Sequence, residues 1–238
     1  MKLDDLREAV GELTVPVGID KRSVKPVSID MKNKYIYPIM ANDSFVLEPF
    51  VGEFVKAVDL LEQCRVQIFD CEGWCKNAEL HSQVITADFD AAVDEIFEDV
   101  LARNNGYKAA NMDESFLDQF EQRFIVVIGI EKLTNRLGDK AKERLFAMLQ
   151  KGKAMYKVHF LFFEGQSYYA ANSYTEWYKA HIKANEGLFV GDGFADQYSL
   201  KANKHSNSFY EEIGNDFGYL LSRGKPTLTK LLTTEEEV

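Results

Sequence analysis

The sequence predicts an α/β domain with a mostly parallel central sheet flanked by helices. Strand and helix signals alternate at least four times along 238 residues, the pattern of strand–helix units around a parallel sheet. Two near-continuous apolar runs, Phe124–Gly129 and Val158–Phe163, read as central strands buried on both faces. Asp88–Arg103 carries Phe89, Val93, Ile96, Phe97 and Val100 at helical spacing, the clearest amphipathic helix in the chain. No linker and no internal repeat interrupts the pattern, so residues 1–238 are expected to form one domain, with residues 1–34 as an N-terminal helix and strands packed onto it.

The elements follow in order. Residues 2–13 read as a short helix, with Leu3, Leu6, Val10 and Leu13 on one face. Thr14–Ile19 and Val24–Ile29 are short strands around a charged turn. Tyr35–Met40 is the first strong strand, and a helix starts near Pro49, a residue suited to the first helical position. Arg65–Asp70 is a strand ending in an acid. A looser stretch reaches Thr86, and the Asp88–Arg103 helix stops at Asn104-Asn105-Gly106. Met112–Arg123 is a short helix, Asp139–Gln150 a longer one, and Ser173–Lys183 an aromatic one. Leu188–Val190 is a short strand; Gly218–Ser222 and Thr227–Leu232 form a closing hairpin.

Composition bounds the function. The chain is 46% apolar and 28% charged, with a formal net charge of −10, and its short acidic end Glu235–Glu237 is the one segment with a disordered composition. The basic clusters Lys21-Arg22 and Lys140–Arg144 have acids close by, which argues against nucleic-acid binding over a broad face; a basic or neutral protein partner fits better. No apolar run approaches the ~20 residues of a membrane span, so no direct membrane insertion is expected of these residues. The charged amphipathic start MKLDDLREAV does not read as a signal peptide. Three cysteines, at 64, 71 and 75, fit a reducing, cytosolic compartment.

The order of parts is more informative than any single motif. VPVGID and PVSID lead to a strand and the turn MANDSFVLEP. VQIFDCEG follows, then FIVVIGIEKL and KVHFLFFE, and the tail carries GLFVGDGFADQ and GKPTLTKLL. This order resembles the FtsK/SpoIIIE-type ATPase modules over nearly the whole chain. Within them it is most similar to the C-terminal module of the EssC/YukB group, the membrane-anchored coupling ATPases of type VII secretion. The resemblance implies a RecA-like P-loop NTPase fold at the cytoplasmic face of a membrane. It also implies partners: Esx/WXG100-type secreted proteins and neighbouring ATPase modules of the same chain or oligomer.

The nucleotide motifs have decayed. A phosphate loop needs glycines that open backbone N–H groups to phosphate, a lysine for the β/γ oxygens and a hydroxyl for Mg²⁺. Laid on Ala41-Asn42-Asp43-Ser44-Phe45-Val46-Leu47-Glu48, the glycines become Ala41 and Val46, the lysine Leu47 and the hydroxyl Glu48. Asp43 and Glu48 would repel a triphosphate. The strand that should end in Asp-Glu ends Gly129-Ile130, with Glu131 displaced. The expectation is no catalytic residue, no metal and no cofactor beyond weak Mg-ATP binding. Glu48 either stabilises the positive end of the following helix or is an exposed acid without a role.

Recognition residues are sought among apolar and aromatic side chains. Phe45, Val46 and Leu47 either rim the vacant site and contact a peptide or fold inward as core. Tyr174, Trp177 and Tyr178 either fill the core or form a protein-binding patch, since Tyr and Trp give large contact area at low entropy cost. Cys71 and Cys75 with His81 make a poor zinc site for want of a fourth ligand. Gly191-Asp192-Gly193 lacks the strand–helix context of a dinucleotide loop and reads as a turn of structural or interface use. The scattered histidines define no triad. A weak ATPase active only in an oligomer and a binding adaptor outside secretion stay open as alternatives.

Overall fold

The computed structural model describes residues 3–76 and 78–233; the acidic run Glu235–Glu237 lies outside them. The strands are β1 (Thr14–Asp20), β2 (Pro26–Asp30), β3 (Ile36–Ala41), β4 (Cys64–Asp70), β5 (Gln83–Ile85), β6 (Gln122–Ile128), β7 (Val158–Gly165), β8 (Gly187–Val190), β9 (Phe217–Ser222) and β10 (Lys225–Leu231). The α-helices are α1 (Glu48–Asp59), α2 (Phe89–Ala109), α3 (Ile130–Arg136), α4 (Asp139–Lys151), α5 (Gln166–Asn172) and α6 (Glu176–His181).

All ten strands join one sheet in the order β2-β1-β10-β9-β8-β3-β7-β6-β4-β5. From β8 to β5 the pairing is parallel; from β8 to β2 it is antiparallel. Strand β8 is the junction, parallel to β3 on one side and antiparallel to β9 on the other. The N-terminal strands are therefore part of the sheet rather than an addition to it, because β1 pairs with β10 from the other end of the chain.

The buried runs do what their composition requires. In β7, Phe160 and Phe162 face one core while Leu161 and Phe163 face the other. Strand β6 alternates likewise, with Ile125 and Val127 on the first side and Phe124, Val126 and Ile128 on the second. Helix α1 covers the second face with Phe50 and Phe54, whose rings lie 5.1 Å apart and meet Phe163. The other face takes α2, α4 and α6. Each fully buried side chain of this size contributes about 1.5–3 kcal/mol.

Four local expectations change. The N-terminal segment is a 3-10 turn, Leu3–Ala9, burying Leu3 and Leu6. Helix α2 runs through Asn104-Asn105-Gly106 to Ala109. A Cβ on Gly106 would sit 2.3 Å from the Phe116 ring, so this glycine serves close packing rather than termination. Residues 112–123 hold a 3-10 turn, Glu114–Gln119, and the start of β6. The aromatic helix is two helices: at the break, Ser173 Oγ and Thr175 Oγ1 donate back to the carbonyls of Ala170 and Asn172, at 2.8 and 2.7 Å, which competes with helix continuation.

At the amino edge of the parallel strands lies a buried polar network. Arg123 donates to Gln67 Oε1, to Asp99 at 2.9 Å and to Glu95 at 3.0 Å. Arg103 donates to the Tyr156 carbonyl at 2.9 Å and pairs with Asp99 at 3.0 Å.

Candidate functional site

In open parallel sheets, ligands bind beyond the carboxyl ends of the strands, where neighbouring connections diverge. Here that place lies beyond β3 and β7. It is built from the turn after β3, Glu164 near the end of β7, Gln166 at the start of α5, and the Gly191–Gly193 turn after β8.

The turn after β3 has the position of a phosphate loop between strand and helix. Its backbone donors face inward to the protein's own oxygens. Asp43 Oδ1 accepts from the Phe45 N–H at 3.1 Å, the Asp43 carbonyl accepts from Val46 N–H at 3.2 Å, and Glu48 N–H donates to the Phe45 carbonyl. The segment Ser44–Leu47 is a tight 3-10 turn. Asp43 thus occupies donors that a phosphate loop offers to its ligand.

Leu47, at the lysine position, is 0% exposed and packs with Phe50 and Val51 in the core beneath α1. Leu47 as a contact residue is corrected by this burial. Phe45 is 66% exposed and points away from that core. Glu48 is exposed at the start of α1, with Pro49 next to it.

The Gly191–Gly193 turn explains its own composition. Asn42 Nδ2 donates to the Asp192 carbonyl at 2.9 Å, and Asn42 Oδ1 accepts from Gln166 Nε2 at 3.1 Å. Gly193 has φ +88°, and a Cβ there would fall 1.9 Å from Asn42 Nδ2. Gly191 has φ +79°, and its Cβ would fall 2.8 Å from Val46 Cγ1. Only glycine suits this backbone and this approach. Asp192 Oδ1 then accepts from the Ile213 and Gly214 N–H groups. Three connections, after β3, β7 and β8, are stitched together across the mouth of the site.

The second half of the site is acidic. Strand β6 ends at Ile128, Gly129 turns with φ +82°, and the fully buried Ile130 starts α3. Glu131 is exposed, and its N–H donates to Glu164 Oε2 at 3.0 Å, while Gly165 N–H reaches Glu164 Oε1 at 2.9 Å. Burial pushes the Glu164 carboxyl above its ordinary range, and the negative charges of Glu131 and Glu72 add to this. Glu72 is ion-paired to Lys132. Glu164 is the site residue that motif reasoning missed; an acid closing the buried run KVHFLFFE was the signal for it.

Trp177 does not belong to a surface patch. It is 3% exposed and packs edge-on to Phe162 at 6.1 Å, because α6 lays its apolar side on the sheet. Tyr178 is half-buried and Tyr174 is 74% exposed. Cys71 and Cys75 lie in the two different cores, on opposite faces of the sheet. Burial pushes both thiols up to about 12 and Cys64 to about 11, so they stay protonated. Among the described residues no group of three His, Cys, Asp or Glu side chains is arranged to hold a metal.

Neither a family model nor a curated protein matches the sequence. Solved structures do. The cytoplasmic domain of EssC superposes with a TM-score of 0.74 at 15% identity, over 99% of this chain and 47% of that one. EssC (ATPases 2 and 3) from Geobacillus thermodenitrificans gives 0.71 at 15% identity, over 99% and 44%. EccC (ATPases 2 and 3) from Thermomonospora curvata, in complex with a signal sequence peptide, gives 0.68 at 16% identity, over 97% and 42%. The fold is that of the EssC and EccC ATPase domains. The resemblance read from the order of motifs holds at this level, and the chain spans less than half the length of these relatives. No helix among the described residues is long and apolar enough to cross a membrane.

Proposed function

We propose that this chain is a module of a type VII secretion motor that recognises secreted substrates and regulates or assembles neighbouring ATPase modules, with little or no ATP hydrolysis of its own. The observation that carries the second half is the turn after β3: its N–H groups bond to Asp43 and Phe45, and core packing takes Leu47, the residue in the lysine position. Phosphate binding would require breaking those hydrogen bonds beside the carboxylates of Asp43, Glu131 and Glu164. A like charge 4 Å away costs about 4 kcal/mol near a protein surface.

Support for the first half comes from the fold, from neighbours that contain more than one ATPase unit, and from an EccC neighbour that carries a signal sequence peptide. In this reading the substrates are Esx/WXG100-type proteins, met at the cytoplasmic face of the membrane, and Phe45, Tyr174 and Tyr178 are the candidate contacts. Titration of the chain with Mg-ATP, followed by a phosphate-release assay, tests the catalytic half. The expected result is no saturable binding and no turnover. Phosphate release that Glu131→Gln abolishes would overturn it, and release seen only after adding neighbouring modules would favour an oligomer-dependent ATPase. Loss of Esx-type substrate binding in Phe45→Ser and Tyr174→Ser, with melting unchanged, supports the recognition half; full binding by both variants overturns the assignment of these contacts.

A further inference from the structure

The opposite edge of the sheet holds a cavity that the proposed function does not use. It lies at the amino end of β3, has a volume of about 240 Å³, and is walled by Tyr35 and Tyr37 with Lys34, Lys153, Lys183 and Glu186 around it. A second cavity of about 470 Å³ shares Lys34, Tyr37, Lys183 and Glu186 with it.

The groups here differ in how far they are already engaged. Tyr35 donates its hydroxyl to the Met148 carbonyl at 3.0 Å. Lys34 Nζ donates to the Asp30 carbonyl, pairs with Glu186 at 3.5 Å and lies 5.9 Å from the centre of the Tyr37 ring. Those two are committed. Tyr37 is 3% exposed, yet among the described residues its hydroxyl has no hydrogen-bond partner, and Tyr37 borders both cavities. Burial keeps this phenol protonated, so it stands as a donor. The ammonium groups of Lys153 and Lys183 likewise have no ion-pair partner among the described residues. Tyr37 Oη is not sealed from solvent, and the two lysines are exposed, so all three donors are free to meet a ligand that enters from outside.

Three unengaged donors around aromatic walls define an acceptor with an apolar body. We propose that this cavity binds a small organic carboxylate, its ring or alkyl body against Tyr35 and Tyr37 and its oxygens on Tyr37 Oη and the two lysines. The volume lies just below the roughly 300–1,000 Å³ usual for drug-sized ligands, so the occupant is of fragment size. A monoanion fits better than a phosphate dianion, because repulsion from Glu186 scales with the ligand's charge. The carboxylate can belong to a free small acid or to the C-terminus of a peptide.

Calorimetric titration and saturation-transfer NMR on the full chain test this, with benzoate as the free acid, N-acetylphenylalanine as the peptide end and benzamide as the uncharged control. Saturable binding of either carboxylate is expected, with benzamide roughly tenfold weaker or more. The tighter of the two carboxylates tells a free acid from a peptide end, and either order supports the site. Tyr37→Phe should weaken binding about tenfold, as loss of a hydrogen bond to a charged group does, with the melting curve close to that of the parent. Lys153→Gln with Lys183→Gln should weaken it at least as much, and these exposed positions leave the fold intact should Tyr37→Phe disturb it. Equal binding of benzamide and benzoate, unchanged affinity in the lysine variant, or no saturable binding of either acid at millimolar concentration would each overturn the proposal.

Discussion

The two edges of the parallel sheet carry opposite charge and stabilise it differently. At the amino edge, Arg123 is almost fully buried and is met from α2 by Asp99 and Glu95 and from β4 by Gln67. Lys34, Lys153 and Lys183 lie along the same edge. At the carboxyl edge, where a nucleotide site would gather lysine and backbone donors, Glu72, Glu131 and Glu164 come together with Lys132 as the counterion. At the edge where parallel sheets usually hold ligands, this chain gathers acids. Two arginines, Arg103 and Arg123, are tied into structure at one edge, and backbone N–H groups satisfy an acid at the other.

The largest expected effect separates the edges directly. Arg123→Leu takes one of two cations from each acid, since Asp99 keeps Arg103 and Glu95 keeps Arg65, and it leaves Gln67 Oε1 without its buried donor. Removing one member of a fully buried pair costs about 3–5 kcal/mol; with both acids partly exposed, urea melts should show a loss near the lower end of that range. Lys132→Ala at the carboxyl edge should cost less, about 1–2 kcal/mol, since that lysine is half exposed although its partner Glu72 is buried. Similar losses for the two variants would mean that the edges do not differ as described.

A second contrast lies within one turn. Leu47→Ala should cost about 2–5 kcal/mol through the cavity it leaves. Phe45→Ser, two residues earlier and exposed, should stay within about 0.5 kcal/mol of the parent. Equal losses would place Phe45 in the core after all.

The edges should also respond to pH in opposite directions. Burial lowers the pKa of His159 from its ordinary 6.5, where Nδ1 meets the Lys34 carbonyl at 2.7 Å and Nε2 meets Gln122 at 3.1 Å. Its contribution is present above the unfolded pKa and is lost as pH falls from 6.5 through the folded value. Glu164 is shifted up from 4.5, so its contribution is complete below 4.5 and is lost as pH rises through the folded value. Chemical denaturation across pH should show His159→Gln flattening the loss on the acid side below 6.5, and Glu164→Gln flattening the decline above 4.5. A variant that leaves its own side of the profile unchanged would remove that residue from the account.

Legibility in the sequence followed the same division. Elements defined by apolar period, such as the runs of β6 and β7 and the helix α4, were readable because side-chain burial alone decides them. That the turn after β3 lacks lysine and phosphate-loop glycines was readable because Ala41, Val46 and Leu47 are local facts. The Asn42–Asp192–Gln166 stitching was not, since it joins residues 42, 166 and 192 through loops that only the fold brings together. Strand β5, three residues long, was missed because it forms only by adding to β4. Gly106 looked like a stop signal, and only the Phe116 ring beside it shows that it is a packing position.

The smallest expected effect tests the acid that opens the helix after β3. Glu48 is the first residue of the twelve-residue α1 and the acid of its first turn, where a negative charge meets the positive end of the helix. An exposed acid there is worth about 0.3–1 kcal/mol and is screened by salt. Glu48→Ala should therefore lower the denaturation midpoint slightly at low ionic strength and hardly at all in high salt. Glu48→Gln should match it, because the charge rather than the side chain carries the term. A loss that survives high salt, or one seen with Ala but not with Gln, would assign Glu48 a packing role. An unchanged or raised midpoint at low salt would leave it as an exposed acid, and the negative character of this edge would then rest on Asp43, Glu72, Glu131 and Glu164.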